Sequence, residues 1–206
     1  MQSILNGLIE NYPELAPLRE DINTAYEIIC SVYENGGKLL ACGNGGSAAD
    51  ADHIVGELMK GFLSKRPLSE TEKASFGENA DVASKLQCGL PAISLCAHSG
   101  LMTAYINDCE PDCVFAQQVY GYSRNGGDVL IALSTSGNSA NVVNAVKTAN
   151  AVGVKSISIT GSRESILSEI STVCLRLPST ETYRIQELTL PVYHCLCAMV
   201  EKRFFG

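Results

Sequence analysis

Two residue pairs carry functional groups at spacings that could do chemistry: His53 with Glu57, four apart, and Gln186 with His194, eight apart. Helical residues four apart project from one face about one turn apart, so the His53 imidazole and the Glu57 carboxylate can converge on one ion or one substrate. A surface His–Glu pair that merely supports its own helix is the commoner reading of HxxxE. Its position, six residues beyond Ser47 and read as the helix end nearest a glycine-rich loop, favours a site instead. Gln186 and His194 would add an amide and a second imidazole, and the chain has only one further histidine, His98. His53, Glu57, Gln186 and His194 together make an N/O donor set suited to zinc or another first-row divalent ion. Eight residues of helix rise roughly 12 Å, too far for one straight helix to bring both side chains to one ion. Either the helix bends near Pro191, or the ligands come from neighbouring subunits and the sites lie at the interfaces of an oligomer. Flanked by Val192, Tyr193, Cys195 and Leu196, His194 also reads as a hydrogen-bonded core histidine.

Two loops could hold an anion. Gly43-Asn44-Gly45-Gly46-Ser47 follows an apolar run directly, with a helix starting at Ser47 or just beyond. Glycines let backbone approach an anion, and free N–H groups at a helix start favour negative charge. A tight turn with a Ser cap would look the same. The second loop, Ser134-Thr135-Ser136-Gly137-Asn138-Ser139, packs four hydroxyls and a glycine ahead of a helix beginning at Ala140. One cap needs one hydroxyl, so four suit a ring of donors around phosphate oxygens. Neither loop fits GxGxxG or GxxxxGK[ST], and no acidic ribose anchor ends the second strand, which removes the main support for dinucleotide or nucleoside-triphosphate binding.

The elements that must position these loops are short β-rich runs alternating with helical segments: 38–43, 92–97, 128–134, 155–160 and 172–177. Alternation implies parallel strands, and near-continuous apolar runs imply burial on both faces. The expected fold is α/β, a three-layer α/β/α sandwich on a five-stranded parallel sheet in one domain. Helices over residues 1–36 precede the sheet, with one long helix over 12–33 closed by Asn35-Gly36-Gly37. The last helix, about 181–204, is expected to be interrupted at Pro191. Residues 64–89 break the rhythm as an insertion with a short helix near 81–87, either a lid or a surface excursion.

The 206 residues carry a net charge of −7 with no Lys/Arg run, so neither nucleic acid nor an acidic membrane is an expected partner. No apolar run approaches the roughly 20 residues of a membrane span, and no secretory signal is seen, so a soluble cytoplasmic protein is expected. The nine cysteines read as free thiols; Cys30, Cys42, Cys96, Cys174, Cys195 and Cys197 lie in apolar segments and are expected to be buried, and Cys109/Cys113 lack a second pair at zinc-site spacing.

GNGGSAADADHIVGEL, LSTSGNSANV and RIQELTLPVYH, taken together in order and spacing, resemble the SIS-domain sugar isomerases, and among them the phosphoheptose isomerases of the GmhA type. The resemblance spans nearly the whole chain except 64–89. It implies a flavodoxin-like SIS domain and a homotetramer with interfacial active sites. The implied reaction is sedoheptulose 7-phosphate to the aldoheptose 7-phosphate. By the same resemblance His53, Glu57, Gln186 and His194 bind one Zn2+ per site, and Glu57 and His194 are the acid/base pair. Asn44, Gly45, Gly46, Asn107, Asp108, Ser134, Thr135, Ser136, Ser139 and Gln186 would contact the phosphorylated sugar, joined by Ser47 on the loop reading. Tyr183 stands where such isomerases carry an acidic residue. Two alternatives share the scaffold: a non-catalytic binding protein of the replication-initiator-regulator type, which His194 argues against, and an isomerase of another sugar phosphate.

Overall fold

The computed structural model describes residues 1–206. In chain order its elements are α1 (Gln2–Asn11), α2 (Arg19–Glu34), β1 (Leu39–Cys42), α3 (Gly46–Met59), α4 (Glu70–Ala74), α5 (Ala80–Ala83), β2 (Ala92–Ser94), α6 (Ser99–Asp108), α7 (Val114–Ser123), β3 (Val129–Leu133), α8 (Ala140–Ala151), β4 (Lys155–Thr160), α9 (Ile166–Ile170), β5 (Val173–Arg176) and α10 (Thr182–Phe205). The five strands are all parallel, in the order β2-β1-β3-β4-β5. Strand side chains alternate between two cores, as the pleat demands. Leu39, Ala41, Ile131, Leu133, Ile157 and Ile159 pack with α1, α2, α3 and α10, and Leu40, Cys42, Leu130 and Ala132 pack with α7, α8 and α9. The three-layer expectation is met, with every residue of β1 and β3 buried.

Several local expectations are corrected. The region read as one helix over 12–33 begins as a 3₁₀ turn, Pro13–Leu18, and becomes α-helical only at Arg19. Pro13 opens that turn, where no N–H is needed, but Pro17 lies inside it, and its ring nitrogen cannot donate the bond an α-helix needs there. β2 stops at Ser94, where the Ser94 hydroxyl accepts the Cys96 N–H and turns the chain. α10 runs unbroken through Pro191. The carbonyl that Pro191 cannot bond belongs to the exposed Glu187, where water can replace the missing donor. Cys96 and Cys174 are half-buried, not buried, and all nine thiols are unpaired. Burial pushes the Cys30 and Cys195 thiols up to about 11 and Cys197 to about 12, which leaves them protonated and unreactive.

The 64–89 excursion holds α4, which the sequence did not suggest, and α5, displaced slightly from the expected 81–87. Its ends are tied together by the Pro67–Gln87 bridge and by the Cys88 N–H donating to Arg66 O at 2.7 Å. Its base is fixed by a buried ion pair, Arg66 Nε to Glu201 Oε1 at 2.8 Å. The Arg66 guanidinium also donates to the carbonyls of Leu58 (2.7 Å) and Glu57 (3.1 Å) at the end of α3. Glu201 meanwhile accepts the N–H groups of Phe62, Leu63 and Ser64. Burial alone would raise the Glu201 carboxyl, but the Phe62 and Leu63 N–H groups and Arg66 hold it below the usual glutamate range.

Candidate active site

α3 and α10 lie side by side and run in the same direction, and the candidate residues are strung along their seam. At its top Gln186 meets Gly46, whose missing Cβ leaves room for the amide. Two turns down, Tyr193 and His194 meet His53. Lower still, Glu201 reaches the end of α3 through Arg66. His53 therefore sits mid-helix, roughly 10 Å below the glycine loop, and not at the helix end nearest it as the sequence suggested.

The top of the seam opens into a polar cleft of about 300 Å³ lined by Asn44, Gly45, Gly46, Ser47, Leu133, Ser134, Thr135, Ser139, Thr182 and Gln186. β1 and β3 are adjacent, and the loops leaving them diverge to helices on opposite faces of the sheet, which is where open parallel sheets bind ligands. Gly45, at φ +56°, turns the first loop into α3 in a conformation that side chains disfavour. Ser47 does not cap α3 and Ser139 does not cap α8, so the cap reading of these loops is not what the chain adopts. The Ser139 hydroxyl instead faces Ser134 Oγ at 3.0 Å, and Ser134 Oγ faces Ser136 Oγ at 3.5 Å. These hydroxyls are rotors held near one another, able to turn their hydrogens toward an anion. Asn44 and Asn141 exchange two amide hydrogen bonds of 2.9 Å each and lock the two loops together. Asn141, Thr182 and this amide clasp were not legible as site features, because the pairing joins residues far apart in the chain.

The middle of the seam holds the titratable cluster. His53 Nε2 lies 3.0 Å from Glu57 Oε1, and His53 Nδ1 lies 2.9 Å from the Tyr193 hydroxyl, which in turn donates to Asp50 Oδ1 at 3.2 Å. The rings of His53 and His194 meet edge to face at 5.0 Å. His194 Nε2 is buried without a hydrogen-bond partner. Burial, and then the neighbouring His53, hold the His194 imidazole below the usual histidine range. Burial raises the Asp50 carboxyl against the opposing pull of Tyr193 and the two histidines. Lys60 Nζ approaches Glu57 Oε2 at 3.4 Å from the exposed side.

The structure thus brings Asn44, Gly45, Gly46, Ser47, Ser134, Thr135, Ser139 and Gln186 together in the cleft, and His53, Glu57 and His194 together below it. Ser136 faces the neighbouring depression over β4 and β5. Asn107 and Asp108, at the exposed end of α6, bond to each other and do not line the cleft. Tyr183 is exposed, and its hydroxyl donates to Glu181 at 2.8 Å, so a carboxylate stands beside the position where an acidic residue was expected. No three His, Cys, Asp or Glu side chains of the chain already surround one point as a metal shell. The donors nonetheless fit a divalent ion in two respects: a carboxylate meets one imidazole at 3.0 Å with a second imidazole ring packed against it at 5.0 Å, and one imidazole nitrogen there is buried with nothing to bond. Gln186 lies at the other level of an uninterrupted helix, so a bend that interrupts the helix at Pro191 does not unite it with His194.

Known proteins resemble this chain in sequence and in fold. The SIS domain family matches residues 10–88 and 76–161. The phosphoheptose isomerase of Akkermansia muciniphila is 33% identical over 200 residues, covering 97% of this chain and 94% of its own. That of Thiobacillus denitrificans is 41% identical, covering 83% and 77%. Among solved structures, phosphoheptose isomerase GmhA from Neisseria gonorrhoeae superposes with a TM-score of 0.76 at 32% identity, covering 98% of this chain and 96% of that one. A phosphoheptose isomerase from Francisella tularensis gives 0.77 at 30% identity with the same coverage. The chain belongs to the SIS-domain family and, within it, to the phosphoheptose isomerases.

Proposed function

We propose that the chain interconverts sedoheptulose 7-phosphate and D-glycero-D-manno-heptose 7-phosphate. The observation that carries this reading is the vertical order of the seam: a hydroxyl-lined cleft at the top and, about two to three turns below, two imidazoles and a carboxylate. A ligand whose phosphate rests in the cleft and whose reacting carbons reach Glu57 must be long, which favours a seven-carbon sugar over a triose.

In the ketose-to-aldose direction, Glu57 takes the proton from C1 while His194 donates one to the C2 carbonyl oxygen, giving an enediol. Glu57 then returns its proton to C2, and His194 takes the hydroxyl proton from O1, which leaves the aldehyde at C1 and both groups in their starting states. His53, Glu57 and His194 would hold a zinc ion, with Gln186 a fourth donor. When bound, such an ion polarises the carbonyl and hydroxyl oxygens. Ser134, Thr135, Ser136 and Ser139, with the Gly45–Ser47 backbone, would grip the phosphate, and Asn107 and Asp108 would join the site on assembly.

The assembly we propose is a homotetramer with interfacial sites, in the cytoplasm. An open apolar groove lined by Ile4, Leu8, Phe62, Ala198 and the exposed Leu63 borders His194 and supports a second copy there. The test is a panel of ketose phosphates given to the zinc-loaded protein, with aldose formation followed by NMR. Conversion of the seven-carbon ketose ahead of five- and six-carbon ones is expected; turnover of none, with phosphate ligands still bound, would point to a binding protein.

A further inference from the structure

We infer that Tyr193, held by Asp50, is a positioning residue that sets the ring of His53. The phenol has one hydrogen and two neighbours that could take it: Asp50 Oδ1 at 3.2 Å and His53 Nδ1 at 2.9 Å. A carboxylate only accepts, whereas an imidazole nitrogen can donate or accept, so both bonds form together only when the phenol hydrogen goes to Asp50. The phenol oxygen is then an acceptor, and the His53 Nδ1 opposite it must carry a hydrogen. That fixes which nitrogen is left over. His53 Nε2, turned toward Glu57 Oε1 at 3.0 Å, presents a lone pair to a carboxylate. Two acceptors facing each other need a cation between them, either a second proton on the ring, which makes the pair an ion pair, or a metal ion, and the ring of His194, whose Nε2 has no partner, packs against His53 at 5.0 Å. The relay from Asp50 through Tyr193 therefore prepares His53 to share a cation with Glu57.

Packing strengthens the assignment. The Tyr193 ring is buried and stands edge to face against both His53, at 5.5 Å, and His194, at 5.0 Å. One side chain so orients the imidazole of α3 by hydrogen bond and that of α10 by contact. This inference rests on the reading of His53 as a metal ligand. An orienting partner on the far nitrogen of such a histidine typically accounts for about 10–100-fold in metal affinity.

The experiment titrates zinc, against a chelator of known affinity, into wild type, Tyr193→Phe, Asp50→Ala and His53→Ala, each checked for its native circular dichroism and thermal midpoint. Tyr193→Phe keeps the ring and removes only the hydroxyl; Asp50→Ala acts on the relay from a half-exposed position, should the buried variant misfold. Tyr193→Phe and Asp50→Ala are expected to bind zinc roughly 10–100-fold more weakly, and His53→Ala more weakly still. Long-range ¹H–¹⁵N NMR of the zinc-loaded wild type should show His53 protonated at Nδ1, with that proton exchanging freely in Tyr193→Phe. Unchanged zinc affinity in Tyr193→Phe and Asp50→Ala alongside a loss in His53→Ala would overturn the positioning role and leave the metal reading standing. A Nδ1 without a proton in the wild type would do the same. Unchanged affinity in His53→Ala would overturn the metal reading and the inference with it.

Discussion

The two ends of the α3/α10 seam are built on opposite principles. The upper end is a cradle of backbone and small hydroxyls, where Ser134 and Ser139 bond to one another and no charged side chain lines the cleft. The lower end is a lattice of charges, with Glu57 bonded to His53 and Lys60, and Glu201 wrapped by Arg66 and three N–H groups. Hydroxyl rotors can redirect their hydrogens when an anion arrives, at little cost to the fold. A proton-transfer pair must instead be held still, and this chain does so by burying an ion pair directly under it.

That contrast can be broken from its lower end first. Glu201→Ala leaves the Arg66 guanidinium, itself 2% exposed, as an uncompensated buried charge and frees the Phe62–Ser64 backbone. A loss of about 3–5 kcal/mol is expected from urea unfolding. Retention of wild-type stability would mean that the clamp is not what anchors the end of α3. At the upper end, Ser139→Ala removes one donor to a charged group, and about 1.5–3 kcal/mol, or roughly 10–100-fold, is expected in KM for the sugar phosphate with kcat little changed. A loss confined to kcat would place Ser139 in the chemistry rather than in the grip.

The smallest effect concerns His194. Its affinity for a proton is lowered by folding, so the unfolded chain takes that proton first as pH falls through the ordinary value of 6.5. The stability contributed by the neutral imidazole is present above that value and is lost as pH drops to the folded-state pKa. Chemical denaturation of the metal-free protein between pH 7.5 and 5, ~2.5 units spanning the histidine range, should show this decline, and His194→Gln should flatten it. An identical slope in that variant would assign the decline to other groups.

How much of this could be read from the chain follows the same division. The cradle is local: each loop is a contiguous run directly after an apolar strand, so composition and position alone exposed Gly43–Ser47 and Ser134–Ser139. The five strands were legible for the same reason, with errors of at most one residue at every end but that of β2, which is three residues short. The lower end is non-local. Tyr193 with His53, and Glu201 with Arg66, join residues more than a hundred apart, and only the parallel packing of α3 on α10 brings them into register. Pro191 misled in the opposite sense, since a local helix-breaking rule gave way to the packing of a long buried helix whose broken bond faces solvent. Tyr193 carried a readable signal nonetheless: a tyrosine beside a histidine in an apolar run needs a partner for its hydroxyl.

The central claim, that Glu57 moves the carbon-bound proton beneath a phosphate cradle, is tested most directly by isomerising sedoheptulose 7-phosphate in deuterium oxide with wild type and Glu57→Gln. Wild type should form aldose bearing deuterium at C2. Glu57→Gln should lose both turnover and label, by about 10²–10⁴-fold in rate, while it still binds the sugar phosphate. Isomerisation by Glu57→Gln at the wild-type rate would contradict the account.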